Sequence, residues 1–178
     1  EIASIALDTS SRTSVMLTRI LCARWFGIAP AFIPHEPDLP SMLEHADAAL
    51  LIGDPALFAD WRALDAEKID LGAAWTEMTG LPFVWAFWAG PSAPLGAEIV
   101  HTLARAAASG RANIDAIAAE YCAGDAARIA VARAYLRDNL KFDFTARAVE
   151  GVETFYAEAA RLGLAPSGGR IRFLDATE

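Results

Sequence analysis

The stretch that decides the fold is residues 4–14, which read SIALDTSSRTS. Its largely apolar first part, residues 4–8, predicts a β-strand, and residues 11–26 have the spacing of an amphipathic helix. Gly27 stands where such a helix is expected to stop. The apolar face of this predicted helix consists of Leu17, Ile20, Leu21 and Trp25. A strand followed directly by a helix is how an α/β unit begins.

Short apolar runs and helical patterns continue to alternate downstream. Residues 31–34 predict a second strand, and the continuous apolar run 48–53 is typical of a buried parallel strand. Residues 39–45 predict the helix between them. Asp54 is expected to cap the next helix, with Pro55 at its first position, although a role in a ligand cleft stays open for Asp54. This β-α-β-α-β order predicts a parallel sheet with right-handed connections.

The pattern changes after the apolar run 81–89, which predicts one more buried strand. Helical patterns then dominate over residues 95–109, 112–122, 125–138 and 145–163, before a possible last strand at 171–174. We therefore predict an α/β lobe with a parallel sheet over residues 1–89. Residues 90–178 are predicted to form a helical C-terminal region that packs back towards the first lobe.

Composition excludes several classes of function. The chain has 178 residues, of which 54% are hydrophobic, and this predicts a compact globular protein. A net charge of −8 with scattered basic residues argues against a nucleic-acid partner. Residues 78–97 carry no charge, but their prolines exclude one continuous membrane helix. Cys22 and Cys122, far apart in sequence, predict two reduced thiols in a cytoplasmic protein without a metal site.

The turn between the first strand and the first helix carries the candidate chemistry. The first N–H groups of a helix are unpaired and lie at the positive end of its dipole, so anions bind there. Hydroxyls and one guanidinium crowd this turn, in Ser10, Ser11, Arg12, Thr13 and Ser14. Arginine can bind a carboxylate with two parallel hydrogen bonds. The alternative is ordinary helix capping by Thr9 or Ser10, with Arg12 as a solvated surface charge.

Four motifs in order make the sequence recognisable. They are DTSSRTS (8–14), LIGDPAL (51–57), DLGAAW (70–75) and TGLPFV (79–84). They resemble the chorismate dehydratase family of the futalosine route to menaquinone, over most of the chain and most strongly over residues 4–89. The resemblance implies the two-lobed fold of periplasmic binding proteins (type 2), here without the family's N-terminal third. The first lobe is then incomplete, and a missing N-terminal lobe or another protomer would complete the substrate cleft.

The activity implied by the resemblance is a carbon–oxygen lyase reaction. It converts chorismate to 3-[(1-carboxyvinyl)oxy]benzoate without a metal or an organic cofactor. The substrate-binding residues would be those of the anion-binding turn, Ser10 to Ser14, together with Asp54. The catalytic base is left open between Asp8, Asp54 and a carboxylate of the substrate itself.

Other side chains suggest structural roles. His35, His45 and His101 are isolated in sequence and are expected to be surface or hydrogen-bonded histidines. Trp75, Trp85, Phe87 and Trp88 are expected to be mostly core residues, or else one wall of a pocket. Two further functions stay open: a non-catalytic solute-binding module for a small carboxylate, and the related 1,4-dihydroxy-6-naphthoate synthase.

Overall fold

A computed structural model describes residues 2–90 and 97–167 of the chain. Its sheet has three strands, β1 (Ser4–Asp8), β2 (Ala31–His35) and β3 (Ala48–Leu50), in the order β2-β1-β3. Both pairings are parallel, so the predicted α/β class with a parallel sheet is confirmed. The three strands therefore end at the same edge of the sheet.

Eight α-helices lie within the described ranges. They are α1 (Arg12–Leu21), α2 (Leu39–His45), α3 (Gly53–Leu57), α4 (Leu71–Thr79), α5 (Ala97–Ala112), α6 (Ile114–Tyr121), α7 (Ala126–Ala134) and α8 (Ala146–Arg161). Short turns of other helix types occupy Cys22–Phe26 and Tyr135–Asn139 (π) and Trp61–Leu64 (3₁₀). None of these helices combines the length and the apolar character needed to cross a membrane.

The first helix is shorter than its sequence pattern predicts. After Leu21 the chain widens into the π-helical turn and stops at Gly27, whose φ of 65° is the left-handed conformation that glycine adopts easily. The wider turn rotates later side chains away from the face of α1. Trp25 is 45% exposed, so its predicted place on the buried face is wrong.

Contacts divide the chain into two compact units. The first, here called the sheet unit, comprises residues 1–86 and 145–170, so it includes α8. The second, here called the helical unit, comprises residues 87–144 and 171–178. The domain boundary that the sequence predicts near residue 90 stays a prediction.

Two clusters of buried side chains form the core of the sheet unit. One lies between α1, α4 and α8 and contains Leu17, Ile20, Leu21, Ala74, Trp75, Phe155 and Ala159. The other lies between the sheet and the end of α1 and contains Ile5, Leu7, Cys22 and Leu50. Both clusters include residues from α1 or the turn that follows it, so this segment links the sheet to the other two helices.

The predicted buried strand over residues 81–89 is wrong. The described sheet has three strands, and none of them pairs with this segment. Phe83 instead packs edge-on against the rings of Trp75 and Phe155, at centroid distances of 5.6 and 5.2 Å. The expectation of mostly core aromatics holds for Trp75 but fails for three side chains that are 45–82% exposed: Trp85, Phe87 and Trp88. The predicted strand at 171–174 lies outside the described residues.

Candidate functional site

An open concavity of about 450 Å³ lies at the carboxyl edge of the sheet. The segment that follows each of the three strands lines this concavity. Ligands of open α/β sheets bind at this carboxyl edge. The lining residues are Asp8, Thr9, Ser10, His35, Glu36, Pro37, Ile52, Gly53, Asp54 and Pro55. The parallel sheet therefore gathers segments that are up to 47 residues apart in sequence.

Asp8 shapes the turn that leads from β1 into α1. Its carboxylate accepts a hydrogen bond of 2.9 Å from the backbone N–H of Ser10, and its side chain is almost fully buried. An aspartate that bonds the backbone two residues ahead is a standard turn-forming contact. Thr9 and Ser10 are left exposed at the rim of the concavity.

Ser11 caps α1, which corrects the predicted capping by Thr9 or Ser10. The Ser11 hydroxyl accepts from the N–H of Ser14 at 3.2 Å and from the Ser14 hydroxyl at 3.1 Å. Ser14 is itself buried. These two hydroxyls are therefore engaged in capping the start of α1.

The first turn of α1 nevertheless keeps donors for a ligand. Within the described ranges, the backbone N–H groups of Arg12 and Thr13 have no protein acceptor, and the Arg12 guanidinium makes no ion pair. Arg12 is exposed. This combination of free N–H groups and a nearby cation is the physical basis of anion binding at a helix N-terminus.

The structure brings together only part of the predicted site. Ser10 and Asp54 line the concavity, whereas Ser11, Arg12, Thr13 and Ser14 follow it in sequence and are not among its lining residues. Asp54 does not cap α3, because Ile52 holds that position. The helix begins one residue before Asp54, at Gly53 with a φ of 64°, and this places Asp54 inside the first turn. A carboxylate there still interacts favourably with the helix dipole.

The sequence analysis missed the lining residues at and after the end of β2, of which His35 is the first. His35 ends β2 directly opposite Asp8 in the parallel register. Its ring lies 5.6 Å from that of His45, and both rings are hydrogen-bonded to backbone carbonyl oxygens, as predicted for these histidines. The signal was present in the sequence: two parallel strands that end at residues 8 and 34 place residue 35 at the same edge.

Half of the polar side chains that line the concavity are acidic. Asp8, Glu36 and Asp54 contribute carboxylates, while Thr9, Ser10 and His35 contribute groups that can donate or accept a hydrogen bond. Side chains of these types can form hydrogen bonds to a neutral, hydroxylated part of a ligand, and they can accept or donate a proton. Arg12, two residues after Ser10, is exposed and adds a positive charge close to the concavity in sequence.

Comparison with known proteins shows the family to which the chain belongs. Residues 1–161 match the model of a family described as "Menaquinone biosynthesis". The chain belongs to this family, and the resemblance seen in its motifs is confirmed.

Among curated proteins the chain is similar to the chorismate dehydratase of Thermus thermophilus. The two are 35% identical over 103 residues, which cover 49% of this chain and 37% of the relative. The matched part of this chain thus spans a little over a third of the length of that protein.

Proposed function

We propose that this chain forms a substrate-binding wall of a chorismate dehydratase, which converts chorismate to 3-[(1-carboxyvinyl)oxy]benzoate and water. We place it in a two-lobed fold of the periplasmic-binding-protein type. The membership of the menaquinone family and the similarity to a named chorismate dehydratase support this reaction. Neither a metal nor an organic cofactor takes part in the proposed reaction.

The observation that carries the proposal is the exposed N-terminus of α1. Chorismate has two carboxylates and a hydroxyl, so its site needs anion donors. One carboxylate is bound by the N–H groups of Arg12 and Thr13 and by the Arg12 guanidinium. A charge-assisted contact of this kind contributes about 1.5–3 kcal/mol.

The acidic concavity then takes the remainder of the substrate. Its carboxylates disfavour a second anion, so the substrate carboxylate points towards Arg12 and the ring lies over Thr9 and Ser10. The hydroxyls of these two residues are exposed and can bond the ring hydroxyl. The other carboxylate needs donors on the opposite wall of the cleft, which the N-terminal lobe or another protomer supplies.

The test is to incubate this chain, together with the lobe or second protomer that completes the cleft, with chorismate and to follow absorbance and product mass. We expect an aromatic product lighter than chorismate by one water molecule. Binding measured by calorimetry without any conversion would favour the solute-binding module. If the protein neither binds nor converts chorismate, the chorismate site is rejected. The alternative function, 1,4-dihydroxy-6-naphthoate synthase, would then be tested with the substrate of that enzyme.

A further inference from the structure

We propose that residues 83–88, here called the docking segment, add as a β-strand to the open sheet edge of a second polypeptide, the N-terminal lobe that completes the substrate cleft. The proposal rests on the proposed function and names the part of this chain that binds the other lobe. The docking segment reads FVWAFW and leads from the sheet unit into the helical unit. Its backbone, its side chains and the sheet edges of this chain each support the proposal.

The backbone of the docking segment is unpaired. Within the described ranges, no backbone N–H or carbonyl group from residue 82 to residue 90 makes a hydrogen bond to another group of the protein. Backbone donors and acceptors that leave water need partners. A neighbouring strand would supply these partners along the whole segment.

The side chains of the docking segment are apolar throughout. In a strand they would alternate between two faces, with Phe83, Trp85 and Phe87 on one and Val84, Ala86 and Trp88 on the other. Two apolar faces are typical of a strand inside a sheet that is covered on both sides. In this chain, however, Trp85, Phe87 and Trp88 are 49%, 45% and 82% exposed. Exposed apolar groups in one short segment mark an interaction site.

The described sheet of this chain offers no matching edge for such a strand. Its outer strands are β2 and β3, and β3 has only three residues. The N–H of Ala31 donates to Ala3 at the start of β1, so Pro34 of β2 falls on the outer side, where it lacks an N–H to donate. Two docking segments paired with each other would form a two-stranded ribbon, which is marginally stable in water. The partner therefore brings a sheet of its own rather than being a second copy.

Length and charge indicate the source of this sheet. The chorismate dehydratase of Thermus thermophilus is matched over 37% of its length, so the larger part of that protein lies outside the match. Residues 78–97 carry no charge, which suits an apolar partner surface. The N-terminal lobe would then be bound by strand addition, in which main-chain hydrogen bonds give affinity and pockets for the side chains give specificity.

Hydrogen exchange of the docking segment tests the proposal directly. The probe is the N-terminal third of the Thermus thermophilus chorismate dehydratase, co-expressed with the full chain and recovered through a tag on this chain. In the chain alone, the amides of residues 83–88 should exchange as fast as those of an unstructured peptide. In the complex they should exchange about 100-fold more slowly or less, because strand hydrogen bonds protect them.

Two variants separate strand addition from nonspecific apolar contact. Trp88→Ala should weaken association about thirtyfold or more, the effect of losing a tryptophan hot spot. Trp25→Ala is the matched control, because Trp25 is 45% exposed but lies outside the docking segment, and it should associate as the wild type does. Ala86→Pro should weaken association about tenfold or more, since it removes an N–H from the middle of the strand. It should leave the melting curve of the free chain unchanged, because that N–H is unpaired there.

Sedimentation over a range of concentrations gives the affinities. Failure of the two polypeptides to copurify, or equal association by Trp88→Ala and Trp25→Ala, would overturn the proposal. Slow exchange at residues 83–88 in the chain alone would overturn it too: at every concentration it means pairing within this chain, and only at high concentration it means a second copy. None of these measurements uses chorismate. A complex that forms as expected but does not convert chorismate therefore rejects the proposed function and leaves the docking segment supported.

Discussion

The two units of the molecule bury very different side chains. The large, fully buried ones all lie in the sheet unit: Trp75, Leu17, Ile20, Leu21 and Met42. In the described part of the helical unit the buried residues are small, namely Ala118, Cys122 and Ala132. The sheet unit therefore has a hydrophobic core of its own, which holds the carboxyl edge of the sheet and its concavity in place.

Sequence explains this difference. The helices of the helical unit are rich in alanine, which favours helix formation but buries little apolar area per residue. Their polar contacts are also exposed. The ion pair between Arg133 and Asp115 is short, at 2.7 Å, yet both side chains are 48% or more exposed, and such pairs contribute little to stability. The large buried side chains and the candidate site thus both lie in the sheet unit.

The largest expected effect comes from truncating a core tryptophan. Trp75→Ala should lower the free energy of unfolding by about 3–5 kcal/mol, because Trp75 is fully buried between α1, α4 and α8. The matched control is Trp88→Ala in the helical unit, where the side chain is 82% exposed. It should change stability by about 0.5 kcal/mol or less. Urea unfolding of both variants gives the comparison, and similar losses would contradict it.

Arg12→Ala should weaken chorismate binding by about ten- to a hundred-fold, since it removes a charge-assisted contact. Arg12→Lys should recover part of this loss, because an ammonium keeps the charge but not the planar fork. Arg105→Ala, an exposed arginine on α5 of the helical unit, is the control and should bind as the wild type does. Calorimetric titration measures all three variants. Wild-type binding by Arg12→Ala would leave the anion site to the backbone alone.

Two helical glycines should respond to alanine with opposite signs. At Gly151 of α8 an added Cβ would collide with the backbone carbonyl oxygen of Pro82, and such overpacking costs about 1–3 kcal/mol. At Gly110 of α5 an added Cβ meets no atom within 4 Å. Gly110→Ala should therefore raise stability, by about 0.5–1 kcal/mol, because alanine is the better helix former. Thermal unfolding of each variant checks the signs, and destabilisation at both sites would refute the argument.

Local patterns predicted much of the fold. The parallel strands, the helix after Ser11 and the stop at Gly27 all follow from periodicity and capping chemistry. The apolar run 81–89 was misread because apolar character does not reveal whether a strand partner exists. The Phe83 ring packs instead against Trp75 of α4 and Phe155 of α8, and α8 lies more than 60 residues further along the chain.

The candidate site was only partly predictable for a related reason. The motif of residues 8–14 marks one of the three segments that form the concavity, and Asp54 marks another. His35 belongs to no motif, and its place at the wall depends on the register between β1 and β2. The predicted strand ends place residue 35 at the same edge as Asp8, but the exact register and the ring contacts are properties of the assembled sheet.

The smallest expected effect concerns two exposed carboxylates, one in each unit. The pKa of Asp47 is lowered mainly by hydrogen bonds from the backbone N–H of Ala3 and the hydroxyl and N–H of Ser4. The pKa of Asp138 is also lowered, mainly by its hydrogen bonds with Arg137, the preceding residue. The donors to Asp47 are 43–44 residues away and meet it only in the folded chain. Arg137 stays beside Asp138 even after unfolding.

Of these two carboxylates, only Asp47 should therefore make the free energy of unfolding depend on acid pH. The pKa of Asp47 is lowered in the folded state, so the stability that its carboxylate contributes is fully present above the unfolded-state pKa of about 4. This stability is lost as the pH falls through the folded-state pKa. Asp47→Asn should flatten the fall in stability below about pH 4, whereas Asp138→Asn should leave that slope unchanged. Urea unfolding at a series of acid pH values measures the slopes. Equal slopes in the wild type and Asp47→Asn would mean that this link between β1 and the start of β3 does not contribute to folding, and that the acid sensitivity of the sheet unit arises elsewhere.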